Sequence, residues 1–308
     1  IFDALREAAQ RGVRIRILLD DFNTSGKSAQ VLKLAFEKNF ELRLFNPLPG
    51  GRRFMTLRIL GNVKDAMRMQ RRMHNKICVA DNAVAISGGR NLGETYFGQS
   101  EGTNFVDIDV LAAGRIVRDM SRSFDQYWNN PLAYPVQSLM TAQEIQALKP
   151  TPTPTPTPQD VYFSDDTFTE NATATRTPLP DTSDLGLLTW TWAPSALLVD
   201  KPSKIAADAD TVDEAQDTTV DGLLQLMAQA KTELLIVSPY FVPGERMMKQ
   251  FASLRQRGVR VRVLTNSLAS NDAPAAHVGY ARYRKALLSM GVELYEMCAD
   301  QKGTLRSF

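Results

Sequence analysis

One stretch of this chain is written twice. Residues 10–18 read QRGVRIRIL and residues 256–264 read QRGVRVRVL, a match at a constant offset of 246 that marks an internal duplication. In the first copy, Phe2, Leu5 and Ala8 or Ala9 fall on one helical stripe, Gly12 stops that helix, and Val13, Ile15 and Ile17 alternate as a strand does. The likeness extends to FELRLFN at 40–46 and VELYEM at 292–297, each a short strand after a helical segment. The sequence therefore predicts an α/β fold of two similar halves, each a mixed sheet flanked by helices. The second copy is preceded by an amphipathic helix at about 219–230 and a strand, Leu234 to Val237. The first copy has no such lead-in, because residue 1 already lies in its helix, and it is expected to lack the start of its half.

Between the halves, Pro150 to Pro158 alternates Thr and Pro, and a polar Thr/Asp-rich stretch continues to about Ser183. Alternating proline removes backbone donors and favours extended, solvated chain. The predicted organisation is a first half over 1–136, a largely disordered Thr/Pro-rich linker over 137–186, and a second half over 187–308. Ordered chain is expected to resume near Leu187, with Trp190 and Trp192 at strand-like spacing. Asn171-Ala172-Thr173 fits a glycosylation acceptor, a triplet common enough by chance to carry no conclusion.

Charge decides little. Thirty-six basic residues stand against 34 acidic ones, a net charge of +2, so any attraction to an anionic partner must come from a local patch. Cys78 and Cys298 lie far apart and outside any paired spacing, which suggests two half-buried thiols and neither a disulfide framework nor a zinc site. No apolar run reaches the ~18 residues that span a bilayer.

The strongest signal is HNKICVADNAVAISGGRN at 74–91. His74, Lys76, Cys78 and Ala80 alternate with Asn75, Ile77 and Val79, so a strand here projects the imidazole and the ammonium from one face. Asp81-Asn82 suits a tight turn, Ala83 to Ser87 a return strand, and Gly88-Gly89 lets the backbone approach an anion. Asn91 adds amide donors. Phosphodiester transfer needs a nucleophile, groups that hold the non-bridging oxygens, and an acid for the leaving oxygen. His74, Lys76 and Asn91 supply the first two. The alternative, a solvated lysine beside a core histidine, is weakened by that strand, turn and Gly-Gly context.

H-x-K, four residues, D, six residues, G-G-x-N resembles the signature of the phospholipase D superfamily. RMHNK, VAISGGRNLGETYFG, DIDVLAAG, FDQYW, SPYFVPG and the LTNSLASND to HVGYARYR run resemble its bacterial cardiolipin-synthase-like branch. The resemblance covers nearly all of 1–135 and 187–300. It implies that His74 attacks phosphorus to give a phosphohistidine, that Lys76, Asn91, Gly88 and Gly89 hold the phosphate, and that Asp81 supports the motif. Supporting parts fall to Asp20 and Asp21, at the end of the first strand, and to Glu94. It implies no metal and no cofactor. In the family a second H-x-K in the other half supplies the acid and base. Counting from the repeat, its histidine falls at roughly residue 320, beyond Phe308. His277 does not substitute, because HVGYARYRK has helical spacing, and it is expected on a helix surface or between the halves.

Arg58, Lys64, Arg68, Arg71 and Arg72 put positive charge just before His74, suited to a phospholipid headgroup or a nucleic-acid backbone, or simply to a solvated face. Met67, Met69 and Met73 with Phe54, Leu57 and Ile59 could form an apolar lip, though core packing accounts for them as well. The leading expectation is a phosphatidyltransferase or phospholipase acting on membrane phospholipids such as phosphatidylglycerol or cardiolipin-like lipids, peripheral to a bacterial inner membrane or cytoplasmic, with cardiolipin synthesis as the reaction the resemblance points to. Its partners are the lipid and a membrane surface, with no nucleic acid expected and no dimer required. One rival is a nuclease or other phosphodiesterase, which the absence of aromatic-basic interleaving disfavours. Another is a chain inactive as given, at most a binding module.

Overall fold

The computed structural model describes residues 1–21, 26–47, 72–97, 104–148, 185–206, 219–271, 273–298 and 305–307. The duplication is visible in the backbone. Helix α1 (Phe2–Gln10) leads through Gly12, at φ 97°, into β1 (Ile15–Asp20). Its counterpart (Gly244–Gln256) leads through Gly258, at φ 81°, into the strand Arg260–Asn266. Both glycines end a helix in the left-handed region, which an L side chain enters at a cost.

In the first half, β1 pairs in parallel with β2 (Phe40–Phe45), and β7 (Ala133–Pro135) adds antiparallel to β2. A second sheet is antiparallel, ordered β3 (Ile77–Ala80), β4 (Val84–Gly88) and β6 (Asp109–Ala113). Helix α2 (Arg115–Trp128) joins them. Its N-terminal turns put Ile116, Val117 and Met120 against Ile77, Val79, Ala85 and Ala112 of the second sheet. Its C-terminal turns lie on the first sheet, where Tyr127 meets Phe45 at 5.1 Å, Arg16 donates to Asp125 at 3.1 Å, and Arg16 and Arg43 stack on Trp128 at 5.5 and 4.5 Å. The opposite face of β1–β2 packs Ile15, Leu42 and Leu44 against Ala9 and the 3-10 segment Gly26–Phe36. The parallel pair is thus covered on both sides, as parallel sheets usually are.

The expected linker begins later than the sequence suggests. Leu139 of the 3-10 turn Val136–Leu139, Met140 just after it and Leu148 of helix α3 (Ala142–Leu148) pack on the first core, and Gln137 donates to the Ala35 carbonyl at 2.8 Å. Apolar periodicity in this short piece was hidden by its proximity to the Thr/Pro run, and residues 149–184 lie outside the described chain. Trp190 and Trp192 lie in irregular chain, not in a strand.

The second half holds α4 (Thr219–Ala228), β8 (Glu233–Val237), α5 (Gly244–Gln256), β9 (Arg260–Asn266), α6 (Pro274–Ser289) and β10 (Glu293–Met297). The helix and strand expected ahead of the second copy are α4 and β8. The sheet is parallel, in the order β10-β9-β8. All three helices contribute to one core, with Met227, Phe251, Leu254, Tyr280 and Leu287 against Val261 and Val263. β11 (Leu305–Ser307) pairs in parallel with β5 (Asn104–Phe105) of the first half.

Candidate active site

The site forms where β1 ends and the β3–β4 hairpin begins. His74 and Lys76 do not lie inside a strand, as their alternation suggested; β3 starts one residue later, at Ile77. The pattern nonetheless carries the right facing. Ile77 and Val79 turn toward α2, while Cys78 is exposed on the other face. Asn75 is hydrogen-bonded to the buried Tyr127 hydroxyl, opposite in phase to His74 and Lys76. The Tyr127 hydroxyl also donates to the Asp200 carbonyl at 2.8 Å, and burial with the nearby Asp200 charge pushes its pKa up to about 12.

Asp20 fixes the approach to the motif. One carboxylate oxygen accepts the Met73 amide at 3.0 Å, and the other accepts Arg72 Nε at 2.8 Å together with a second, shorter Arg72 contact. Ion pairing with a backbone bond is a charge-assisted clamp on the residue before His74. Arg72 is thereby committed to Asp20. Of the other expected basic and apolar neighbours, Met73 packs on the Phe45 and Tyr127 cluster, and Arg58, Lys64, Arg68, Arg71, Met67, Met69, Phe54, Leu57 and Ile59 lie outside the described residues. Asp21 is fully buried.

Partial desolvation holds the His74 imidazole below its ordinary pKa, the neighbouring Lys76 ammonium pushes the same way, and Asp20 opposes both. Desolvation also lowers Lys76, against the pull of Asp107 and Asp20. An imidazole held toward its neutral form keeps a lone pair available as a nucleophile. The Lys76 ammonium rests on the His74 carbonyl at 3.0 Å, and the Ser87 hydroxyl donates to the Lys76 carbonyl at 3.1 Å.

Beyond the Ile77–Ser87 pair, antiparallel register brings Lys76 level with Gly88, which is itself paired with Asp109. The two glycines have a tighter reason to be glycine than an approaching anion. A Cβ on Gly88 would sit 1.9 Å from an Asp109 carboxylate oxygen, and one on Gly89 would sit 2.3 Å from an Asp107 oxygen. The return strand is Val84–Gly88, one residue later than expected, so Gly88 belongs to it. Asn91 is exposed and donates its side-chain amide to the Tyr96 hydroxyl at 2.8 Å; Glu94 opens the 3-10 turn Glu94–Tyr96. Arg90 binds the Tyr96 carbonyl at 2.8 Å, the Asp107 carbonyl at 2.9 Å and the Asp109 carboxylate at 2.6 Å, lacing the loop to β6.

The structure thus gathers His74, Lys76 and Asp20, with Gly88, Gly89 and Asn91 on the adjoining strand end and loop. It does not bring Asp81 there. Asp81 and Asn82, at φ 51° and 56°, form the exposed hairpin turn, about 15 Å along the strand from Lys76. Sequence reasoning missed Asp107, Asp109, Arg90 and Tyr96 beside the candidate site; the signal was the D-x-D of DIDVLAAG, which sets Asp109 at the start of β6 and Asp107 just ahead of it, both carboxylates against the glycines.

His277 is buried in the first turn of α6, edge-on to Tyr280 at 5.7 Å, rather than on a helix surface. Helical spacing gave its element but not its side, since the Pro274 start sets the phase. Cys78 and Cys298 are both exposed, not half-buried. Among the described residues no group of His, Cys, Asp and Glu could hold a metal, and no helix is long and apolar enough to cross a membrane.

The family profile described as cardiolipin synthase, PLD-like domain, matches residues 1–128 and 223–306. Cardiolipin synthase C of Escherichia coli (strain K12) is 37% identical across 99% of this chain and 62% of its own length. Cardiolipin synthase B of Salmonella typhi is 25% identical across 95% of this chain and 56% of its own length. The chain therefore spans less than two thirds of the curated relatives it matches. Among solved structures, the phosphatidylserine synthase of Haemophilus influenzae Rd KW20 superposes with a TM-score of 0.51 at 13% identity, over 99% of this chain and 72% of that one, a likeness of fold.

Proposed function

Because the chain belongs to the phospholipase D-like cardiolipin synthase family, we propose that His74 is the nucleophile in phosphatidyl transfer from a membrane phospholipid. The observation that carries this reading is the pairing of an imidazole kept toward its neutral form with an ammonium on the same hairpin mouth. The imidazole lone pair forms an N–P bond as the P–O bond to the departing alcohol breaks, leaving a phosphohistidine; the oxygen of a second alcohol then attacks phosphorus as the N–P bond breaks, its proton passing to water and the imidazole returning free. Lys76 and the Asn91 amide hold the non-bridging oxygens as charge grows on them. Asp20 positions His74 through Arg72 and the Met73 amide. Asp21, Glu94 and Asp81 support the framework without touching phosphorus.

The departing alcohol needs a proton, and the buried His277 is not placed as its donor in this reading. Among the described residues this reading assigns the nucleophile and the oxyanion donors and no acid for the departing alcohol, so slow turnover is expected. The proposed substrate is phosphatidylglycerol or a cardiolipin-like lipid, met by a peripheral enzyme at a bacterial inner-membrane surface.

The test is intact-mass analysis after incubation with phosphatidylglycerol vesicles and an alkaline quench, which spares phosphohistidine. A slow phosphatidyl adduct, absent in His74→Ala, is expected, with little or no turnover. An adduct that survives His74→Ala, or no lipid adduct alongside His74-dependent cleavage of DNA, overturns the proposal.

A further inference from the structure

Residues 73–76 come just ahead of β3, whose ladder begins at Ile77, so contacts from outside the sheet hold the backbone that presents His74 and Lys76. The Met73 amide is bound by Asp20 at 3.0 Å, and the Lys76 carbonyl accepts the Ser87 hydroxyl at 3.1 Å. Between them, Asn75 is hydrogen-bonded to the Tyr127 hydroxyl. That hydroxyl gives its proton to the Asp200 carbonyl at 2.8 Å, so its oxygen accepts from the Asn75 side-chain amide. Tyr127 is only 3% exposed, and its ring lies on Phe45. A phenylalanine would fill the same place, whereas a buried hydroxyl costs free energy unless it is bonded. The bonds to Asn75 and Asp200 are therefore what the tyrosine adds.

The Asp200 end of this chain of bonds reaches the second half. Asp200 lies in an irregular strap, 188–202. Leu197 of the strap packs with Ala85, Val117 and Met120 of the first half, and Leu198 lies so close to α4 that a Cβ on Gly222 would sit 2.7 Å from it. The Asp200 carboxylate accepts the Thr219 amide at the start of α4 at 2.8 Å and pairs with Lys204 at 2.5 Å. We infer that Tyr127 is a positioning residue for the motif of His74 and Lys76: it fixes Asn75, and the strap makes that placement depend on α4 of the second half. This deepens the proposed chemistry and rests on His74 as the nucleophile.

The test uses the 308-residue chain with labelled histidine, its two imidazoles separated by NMR, alongside the rate of adduct formation on phosphatidylglycerol vesicles. Tyr127→Phe keeps the ring and removes the hydroxyl. It should shift the His74 imidazole signals, leave those of His277 in place and slow the adduct about five-fold, the worth of one hydrogen bond. Asn75→Ala should do the same, and the double variant should be no worse than the more affected single one, because both break one bond. Asp200→Ala, which releases Thr219 and Lys204, should shift the His74 signals by less, and not at all on top of Tyr127→Phe. Thermal melts confirm that each variant folds. His74 signals and an adduct rate unmoved by Tyr127→Phe overturn the inference, as do additive losses from Tyr127→Phe and Asn75→Ala. Signals that ignore Asp200→Ala, or move as far in the Tyr127→Phe chain, overturn the link to α4. A parent that forms no adduct overturns the role of His74 as nucleophile, and the imidazole signals, which need no lipid, then decide the positioning by themselves.

Discussion

Among the described residues, the first half has a helix on each side of its parallel strands and a candidate site, while the second has helices on one side of its parallel sheet and no comparable cluster. The two features are connected. The helix that covers β1–β2 is the one that carries the β3–β4–β6 sheet, because α2 packs on both. Covering the sheet and delivering His74 to the carboxyl end of β1, beside Asp20, are therefore one packing event. Ligand sites in α/β sheets commonly lie at those strand ends.

The largest break between the halves should appear in the core. Phe45 is fully buried beneath Tyr127, so Phe45→Ala should cost ~3–5 kcal/mol. Its counterpart Met297 lies on the open face, and Met297→Ala should cost less than ~1 kcal/mol. Urea unfolding of the two variants checks this. Equal losses would mean that the second face is covered after all.

Next comes the clamp. Asp20→Asn removes the charge that holds Arg72 and weakens the acceptor for the Met73 amide, and should cost ~1.5–3 kcal/mol. It should also slow formation of the His74 adduct, because the segment leading into the motif loses its anchor. Unchanged unfolding and an unchanged adduct rate would make Asp20 a bystander.

Much of this contrast was legible in the letters, and the limits are physical. The duplication, the helix–glycine–strand units and the strand Leu234 to Val237 follow from local periodicity and backbone preference, which survive without tertiary context. Asn39 shows how far such reading reaches. It stands at φ 67° where the second half has Gly291 at φ 77°, so two different letters serve one left-handed turn before a strand. Long-range packing was less visible. No local pattern says that Asp107 and Asp109 crowd Gly89 and Gly88, that Tyr127 reaches both Asn75 and Asp200, or that Asp81 stays at the turn. The helix-surface alternative for His277 failed for the same reason: periodicity fixes spacing along a helix, whereas burial depends on what arrives from elsewhere.

A smaller separation is expected at the paired arginines. Arg16 is partly exposed, with an ion pair to Asp125 and stacking on Phe124 and Trp128, so Arg16→Ala should cost ~0.5–1 kcal/mol. Arg262→Ala should lie within ~0.5 kcal/mol of the parent, because its partner Glu233 is itself partly exposed.

The subtlest test is the titration of His74, one of two histidines and so resolvable by NMR once His277→Gln identifies the other. Its pKa is lowered, first by desolvation and then by the Lys76 charge. Lys76→Met removes that like charge and should move the pKa up toward its ordinary value, whereas Asp20→Asn removes the opposing carboxylate and should move it further down. The consequence for stability has a definite sign. Between the folded and the ordinary imidazole pKa the unfolded chain binds more protons than the folded one, so His74 leaves stability untouched above that window and erodes it as pH falls through it. Lys76→Met should narrow the window and Asp20→Asn widen it. An unmoved His74 titration in both variants would show that neither charge reaches the imidazole, and that its depressed pKa comes from desolvation alone.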